Sequence, residues 1–380
     1  MSSHPLRLGS GVILLAVAPS LWAQSQDVVT VRAGLSVLNS DNFFRTSAAS
    51  AVSERVTTQN TGINVALPYG LQQFDLDASL TSNQYQTNSS FDYVGQNYSA
   101  AWRWSVTPRL TGNLRSARTE TLNATTDSVN PNLRNKNKTQ GTELSVAYGL
   151  RGPWQLTTGL SDNSSINERA LVGQSDNRST GANIGLRYEA APGQTLAYTL
   201  QQGRGVSNTD YTSTSHNFTA LWAPSGKTSL NARLNHTQLR YGNTPQFDYS
   251  GLAGSLGIEW RMSGKTSLQA SWQRDLSSYQ TAGTTHAQTD SITVSPMWQI
   301  SSDSSLRLQY RHAQRLDQGN PTGVATNRLD YLHDTSVSYT WLPRKQATLS
   351  VTLAESSRQS NIANTNYVAR QITLAAQFAF

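Results

Sequence analysis

The sequence predicts an all-β protein: a transmembrane antiparallel up-and-down β-barrel of about eighteen strands, following a cleaved signal peptide. Three observations predict it. Apolar and polar residues alternate in runs of about ten from Asp27 onward, the length a tilted strand needs to cross a bilayer. Aromatic residues close the apolar face of successive runs just before short turns. The chain ends on an aromatic, Phe380.

Composition supports the first of these. Charged residues make up 14% and the mean hydropathy is −0.48, too polar for a helical membrane protein. A barrel removes the conflict, because only every second residue of a strand faces lipid. There is no cysteine, which excludes disulfide frameworks and thiolate metal sites and suits an exported protein. The formal charge is +7, of which Arg7 belongs to the leader. In a soluble protein such a balance would suggest nucleic acid. In a barrel it points instead to a basic lumen or rim meeting an anionic polymer or lipopolysaccharide, and no nucleic acid is expected.

Residues 1–23 read as the signal peptide. His4 and Arg7 precede the apolar run Gly11 to Ala18, and cleavage is expected after Ala23, with an imperfect Leu21 at the −3 position. That run is too short to span a bilayer. Residues 24–380 then form one barrel domain, exported to the outer membrane of a Gram-negative cell.

The aromatic pattern recurs strand after strand. Tyr98, Ala100, Trp102 and Trp104 share one face, and Ser99, Ala101, Arg103 and Ser105 the other. The apolar faces of later runs close in the same way on Tyr148, Tyr188, Trp222, Trp260, Trp298 and Trp341. With Phe380 these residues form the expected membrane girdle. Tight turns follow them, such as Arg151-Gly152-Pro153, Ala191-Pro192-Gly193 and Pro224-Ser225-Gly226. Strands leaving these turns open on leucine faces, as in Leu230-Ala232-Leu234 and Leu306-Leu308-Tyr310. The opposite connections are longer and rich in Asn, Ser, Thr and Gln, as expected of extracellular loops. The last strand alternates Ile372, Leu374, Ala376, Phe378 and Phe380 against Thr373, Ala375, Gln377 and Ala379. A terminal aromatic on such a strand resembles the signal read by the outer-membrane assembly machinery. Eighteen segments can be counted, with starts that include Asp27, Tyr211 and Thr285. One early hairpin read differently would give sixteen. No plug domain is visible, so a wide, water-filled channel is expected.

Two apparent motifs fail. Ser225-Gly226-Lys227-Thr228-Ser229 and Ser263-Gly264-Lys265-Thr266-Ser267 imitate a phosphate loop, but Leu221 and Glu259 stand where its first glycine belongs, and each lies in a hairpin turn. His216, His236, His286, His312 and His333 fall on the lipid-facing register near the outer strand ends. They show neither metal-ligand spacing nor a nucleophile elbow, and are expected to form an interfacial belt. No cofactor, metal or catalytic residue is assigned.

The inward register carries more. Arg103, Arg115, Arg187, Arg233, Arg261, Arg307 and Arg311 point inward by parity, as do Asp75, Asp77, Glu143 and Glu259. Mixed signs allow arginine–carboxylate pairs that stiffen the wall. The same groups could also form a net-basic track for an anionic or hydroxyl-rich polymer.

The segment Asp41-Asn42-Phe43-Phe44-Arg45 resembles the Asp-Asn-x-Phe-Arg motif of EpsL-type outer-membrane barrels, encoded in exopolysaccharide biosynthesis operons. The stretch Ala66 to Ala78, the Phe91-Asp92-Tyr93 triplet and Ala100 to Trp104 are similar to the same family, which departs here only at Tyr69-Gly70-Leu71. The resemblance spans roughly Asp41 to Trp104. It implies a channel for polysaccharide in transit, working with periplasmic secretion components, and hands over no catalytic residue. Three other expectations stand beside it: a general or oligosaccharide-uptake porin, an enzyme built on a barrel, and a structural polymer anchor.

Overall fold

The computed structural model describes residues 28–123, 133–169, 175–207, 209–281, 284–321, 323 and 327–380. The expected signal peptide, residues 1–23, lies outside them. Eighteen strands follow one another: β1 (Val29–Ser40), β2 (Glu54–Tyr69), β3 (Gln72–Tyr85), β4 (Tyr93–Thr107), β5 (Leu110–Leu122), β6 (Lys136–Gly149), β7 (Trp154–Asn167), β8 (Asn177–Ala191) and β9 (Gln194–Ser207). The second half continues with β10 (Thr209–Ser225), β11 (Thr228–Tyr241), β12 (Tyr249–Arg261), β13 (Thr266–Thr281), β14 (Thr284–Gln299), β15 (Ser304–Gln318), β16 (Leu329–Arg344), β17 (Ala347–Ser360) and β18 (Tyr367–Ala379). Each pairs antiparallel with its sequence neighbours, and β1 also pairs with β18, so the sheet closes on itself with no free edge. Closure leaves every interior ladder group paired, the condition for crossing hydrocarbon with strands.

The eighteen-strand barrel therefore holds, and the register shows what repeats in it. Tyr148 lies opposite Leu156, Tyr188 opposite Leu196, Trp222 opposite Leu230, Trp260 opposite Leu268, Trp298 opposite Leu306 and Trp341 opposite Leu349. Each of these short hairpins thus starts with an aromatic–leucine pair on the outer face, worth about 0.2–1 kcal/mol beyond Ala–Ala. Trp104 differs: its partner is Gly112, and a Cβ there would come within 2.1 Å of the indole ring. The ring lies where a side chain would be. The tight turns follow directly, and Gly70, Gly152 and Gly193 take positive φ within them.

Moving away from the short turns, the outward face turns polar. Phe218 gives way to His216, Leu160 to Asp162, Tyr310 to His312 and Leu353 to Glu355. Strand ends beyond that level stand outside the hydrocarbon. Two ladders stop short there. Pairing of β4 with β5 ends at Tyr98 opposite Arg118, and pairing of β12 with β13 ends at Gly254 opposite Arg274. In both, the outer strand ends separate while keeping their partners on the other side.

Candidate functional site

The interior wall is the candidate site, and strand parity builds it. Arg103 is opposite Gln73 and Ala101 opposite Asp75, so these side chains share the inner face of β3 and β4. Arg103 pairs with Asp75, which also accepts from Gln73 Nε2 at 3.0 Å. Asp77 pairs with Arg32, whose side chain reaches from β1 past Gly62 of β2. Arg187 pairs with Glu189 at 3.6 Å, Arg261 with Glu259 at 3.8 Å and Arg311 with Asp334 at 3.1 Å. Seven of the eleven expected pore-lining groups, Arg103, Asp75, Asp77, Arg187, Arg261, Glu259 and Arg311, thus form ion pairs that stiffen the wall. The remainder behave differently. Arg115 and Glu143 lie opposite each other across β5 and β6 yet form no ion pair among the described residues. Arg233 and Arg307 also have no carboxylate partner among them. Arg307 instead donates to Gln269 Oε1 and Ser295 Oγ, both at 3.4 Å. Three guanidiniums without an ion pair among the described residues, Arg115, Arg233 and Arg307, outnumber the two inward carboxylates without one, Glu143 and Asp275, and so bias the polar lumen toward anions.

The outer mouth is packed rather than open on one side. Arg315 pairs with Asp317 at 3.1 Å and Arg328 with Asp330 at 2.8 Å, all with side chains largely buried. Burial pushes the Asp317 carboxyl up, and Arg315 and Arg328 pull against it. Ala313 and Ala369, on the inward register nearby, are wholly covered. On the neighbouring sector Phe44, Val56, Tyr85 and Phe91 form a buried apolar cluster. An unobstructed bore, the expectation from strand count, is thus narrowed by side chains at its outer end.

The Asp-Asn-Phe-Phe-Arg segment builds that narrowing. Asn42 donates to Thr46 O at 2.7 Å and Val368 O at 3.0 Å, and its Oδ1 accepts from Thr46 N at 3.1 Å. Asp41 Oδ1 accepts from Arg370 N at 2.7 Å. Phe44 packs against Phe91, with ring centroids 5.4 Å apart. Glu54 closes the same corner. Burial alone would raise its carboxyl, but the Thr87, Asn88 and Arg55 amides and the Asn88 side chain outweigh this and hold it below the usual carboxylate range. These residues latch the first outer loop to the seam between β1 and β18. Among the described residues they bring together no nucleophile–base pair.

The histidines pair across strands on the outer face: His216 is opposite His236, and His312 opposite His333. Tyr198 hydroxyl bonds His216 Nδ1 at 2.8 Å. His286 departs from the expected belt. It is 9% exposed and stacks on Tyr249, with centroids 4.7 Å apart. Burial holds its imidazole below the ordinary histidine range, and a bond to Gln318 offsets this in part. Among the described residues no cluster of three or more His, Asp or Glu could hold a metal. Both phosphate-loop imitations are hairpin turns, in which Ser225 and Ser263 accept the Lys227 and Lys265 amides.

The chain resembles solved outer-membrane barrels over nearly its whole length. Its fold is that of outer-membrane porins. OccK2 (OpdF) of Pseudomonas aeruginosa aligns with a TM-score of 0.58 at 14% identity, over 93% of this chain and 97% of that one. OpdK of the same organism gives 0.55 at 12% identity, over 93% and 99%. A BenF-like porin from Pseudomonas fluorescens Pf-5 gives 0.54 at 12% identity, over 93% and 98%. No family model and no curated protein matches the sequence. At such identities the likeness concerns architecture, and the side chains of the wall are this chain's own.

Proposed function

We propose that the protein is a porin-type channel of the Gram-negative outer membrane that passes small polar solutes and prefers anions. The carrying observation is the set of lumen guanidiniums, Arg115, Arg233 and Arg307, that form no ion pair among the described residues and outnumber the unpaired inward carboxylates. Paired arginines elsewhere stiffen the wall, whereas these three leave net positive potential in a water-filled space. Architecture agrees with the reading. Two of the similar porins were solved with small carboxylates, OpdK with vanillate and OccK2 with glucuronate. The narrowed mouth favours small solutes over a polymer chain. It weighs against the exopolysaccharide export that the EpsL-type resemblance implies, and the first of the stretches carrying that resemblance, Asp41 to Arg45, serves here in a loop latch.

Purified protein in planar bilayers should conduct, and proteoliposomes should swell faster in glucuronate than in a neutral sugar of the same size. Absence of any conductance would overturn the channel. Loss of polymer secretion on gene deletion, with no swelling in small solutes, would instead support the exporter.

A further inference from the structure

Above the hydrocarbon, several outward arginines have side-chain partners: Arg118 shares Glu120 with Lys136, Arg274 pairs with Asp290 at 2.7 Å, Arg370 pairs with Glu355 at 2.8 Å, and Arg55 donates to Asn39 Oδ1 at 2.7 Å. Arg178 on β8, Arg204 on β9 and Arg240 on β11 are exposed and, among the described residues, have no carboxylate partner. Register brings these three together. Arg204 lies opposite Thr212 of β10, and Thr212 opposite Arg240, so the two arginines share a row two strands apart, about 10 Å. Arg178 is opposite Val206, one diagonal step from Arg204. With Asp162 and Asp210 they line a single hollow on the wall, which keeps a net positive charge.

Its height is set by strand length. Arg178 precedes Tyr188, and Arg240 follows Leu230, by about ten residues, the length of a tilted strand that crosses the apolar core. Tyr188 and Leu230 belong to the girdle rows beside the short turns. The guanidiniums therefore stand at the level of the outer-leaflet headgroups. Arginine presents a planar fork of donors that fits phosphate oxygens two at a time, and it gives up its hydration more readily than lysine.

We propose that Arg178, Arg204 and Arg240 form a binding site for the phosphate groups of an outer-leaflet glycolipid, held against the outside of the barrel. This rests on the outer-membrane placement of the channel, but not on what passes through the lumen. Phosphate could also come from solution. The spacing over three strands suits a lipid carrying two phosphates better than one small ion.

The test is native mass spectrometry of the detergent-solubilised protein, titrated with diphosphorylated lipid A, fully dephosphorylated lipid A and inorganic phosphate. The Arg178→Gln, Arg204→Gln, Arg240→Gln triple variant should bind diphosphorylated lipid A at least about tenfold more weakly than the parent. Both should bind the dephosphorylated lipid equally. The lumen variant Arg115→Gln, Arg233→Gln, Arg307→Gln should bind lipid A as the parent does. Heat-modifiable migration in gels checks that the variants are folded, and unchanged conductance of the outer-face triple variant separates this site from the channel. Equal lipid A binding by that variant and the parent overturns the proposal, as does equal binding of the phosphorylated and dephosphorylated lipids by the parent. Displacement of lipid A by millimolar inorganic phosphate would overturn the lipid in favour of a free-anion site.

Discussion

Single residues at the rim and at the girdle do work that composition conceals. Asn42 is 2% exposed; its amide holds the backbone of Thr46 by two bonds and ties that turn to Val368 O of β18 by a third. Alanine would leave Val368 O and Thr46 N without these partners in a covered corner, costing about 1–3 kcal/mol. Asn42→Ala is expected to release the first outer loop while the barrel stays closed. Protease cutting within residues 43–53 should appear, and heat-modifiable migration should survive. Retained protection of the loop would contradict the latch. At the other end of the wall, Gly112 is open because Trp104 fills its place. Gly112→Val must displace the indole, at an overpacking cost of roughly 1–3 kcal/mol. Adding Trp104→Ala to that variant should recover part of the loss in thermal stability. Purely additive losses would mean that the two side chains do not compete.

Among the secondary-structure elements, β12 and β13 share the shortest ladder, and their outer ends part. Their ladder ends at Gly254 opposite Arg274, and side chains close the remainder. Leu276 lies over Gly251, and Tyr249 stacks on His286, reaching past β13 to β14. Burial lowers the His286 pKa relative to the unfolded chain, so the neutral ring is the one that packs. The stabilisation is fully present above the unfolded histidine value of about 6.5 and is lost as pH falls through the lower folded value. Amides facing this seam in 249–253 and 275–277 should therefore lose protection between pH 7.5 and 5, after correction for intrinsic exchange. Those at the β4–β5 seam, which has no histidine, should not. Equal responses at the two seams would remove His286 as the cause. This seam was not legible in the sequence, since alternation through Leu252, Leu256 and Leu276 is the same whether strands pair or part. The strands themselves were legible, because Trp222 and Leu230 or Trp341 and Leu349 mark both sides of a turn. Their outer boundaries were less so: β10 starts at Thr209 rather than Tyr211 because polar residues above the bilayer carry no lipid-facing signal.

At the scale of the whole barrel, charge becomes a property of register. Parity alone placed Arg103, Arg115 and Arg233 inward, but pairing depends on which residues stand level on neighbouring strands. Arg32 neutralises Asp77 from two strands away, a relation that appears only when β1, β2 and β3 are aligned. The paired charges are close dipoles whose potential falls off quickly across a wide aqueous bore. The unpaired ones act as point charges that mobile ions feel to about a Debye length, about 10 Å at 0.1 M salt. Selectivity should therefore follow Arg115, Arg233 and Arg307 rather than the total count of inward arginines. In a tenfold potassium chloride gradient, the parent should show a reversal potential of the anion-selective sign. Arg115→Gln, Arg233→Gln, Arg307→Gln should move it toward zero, while Glu143→Gln should move it further from zero. Changing a pair together, Arg103→Gln with Asp75→Asn, should leave it where it was. Screening requires both shifts to shrink as the salt concentration is raised at constant ratio. A shift from the paired double variant as large as that from the unpaired triple variant would show that total lumen charge, and not pairing, governs permeation.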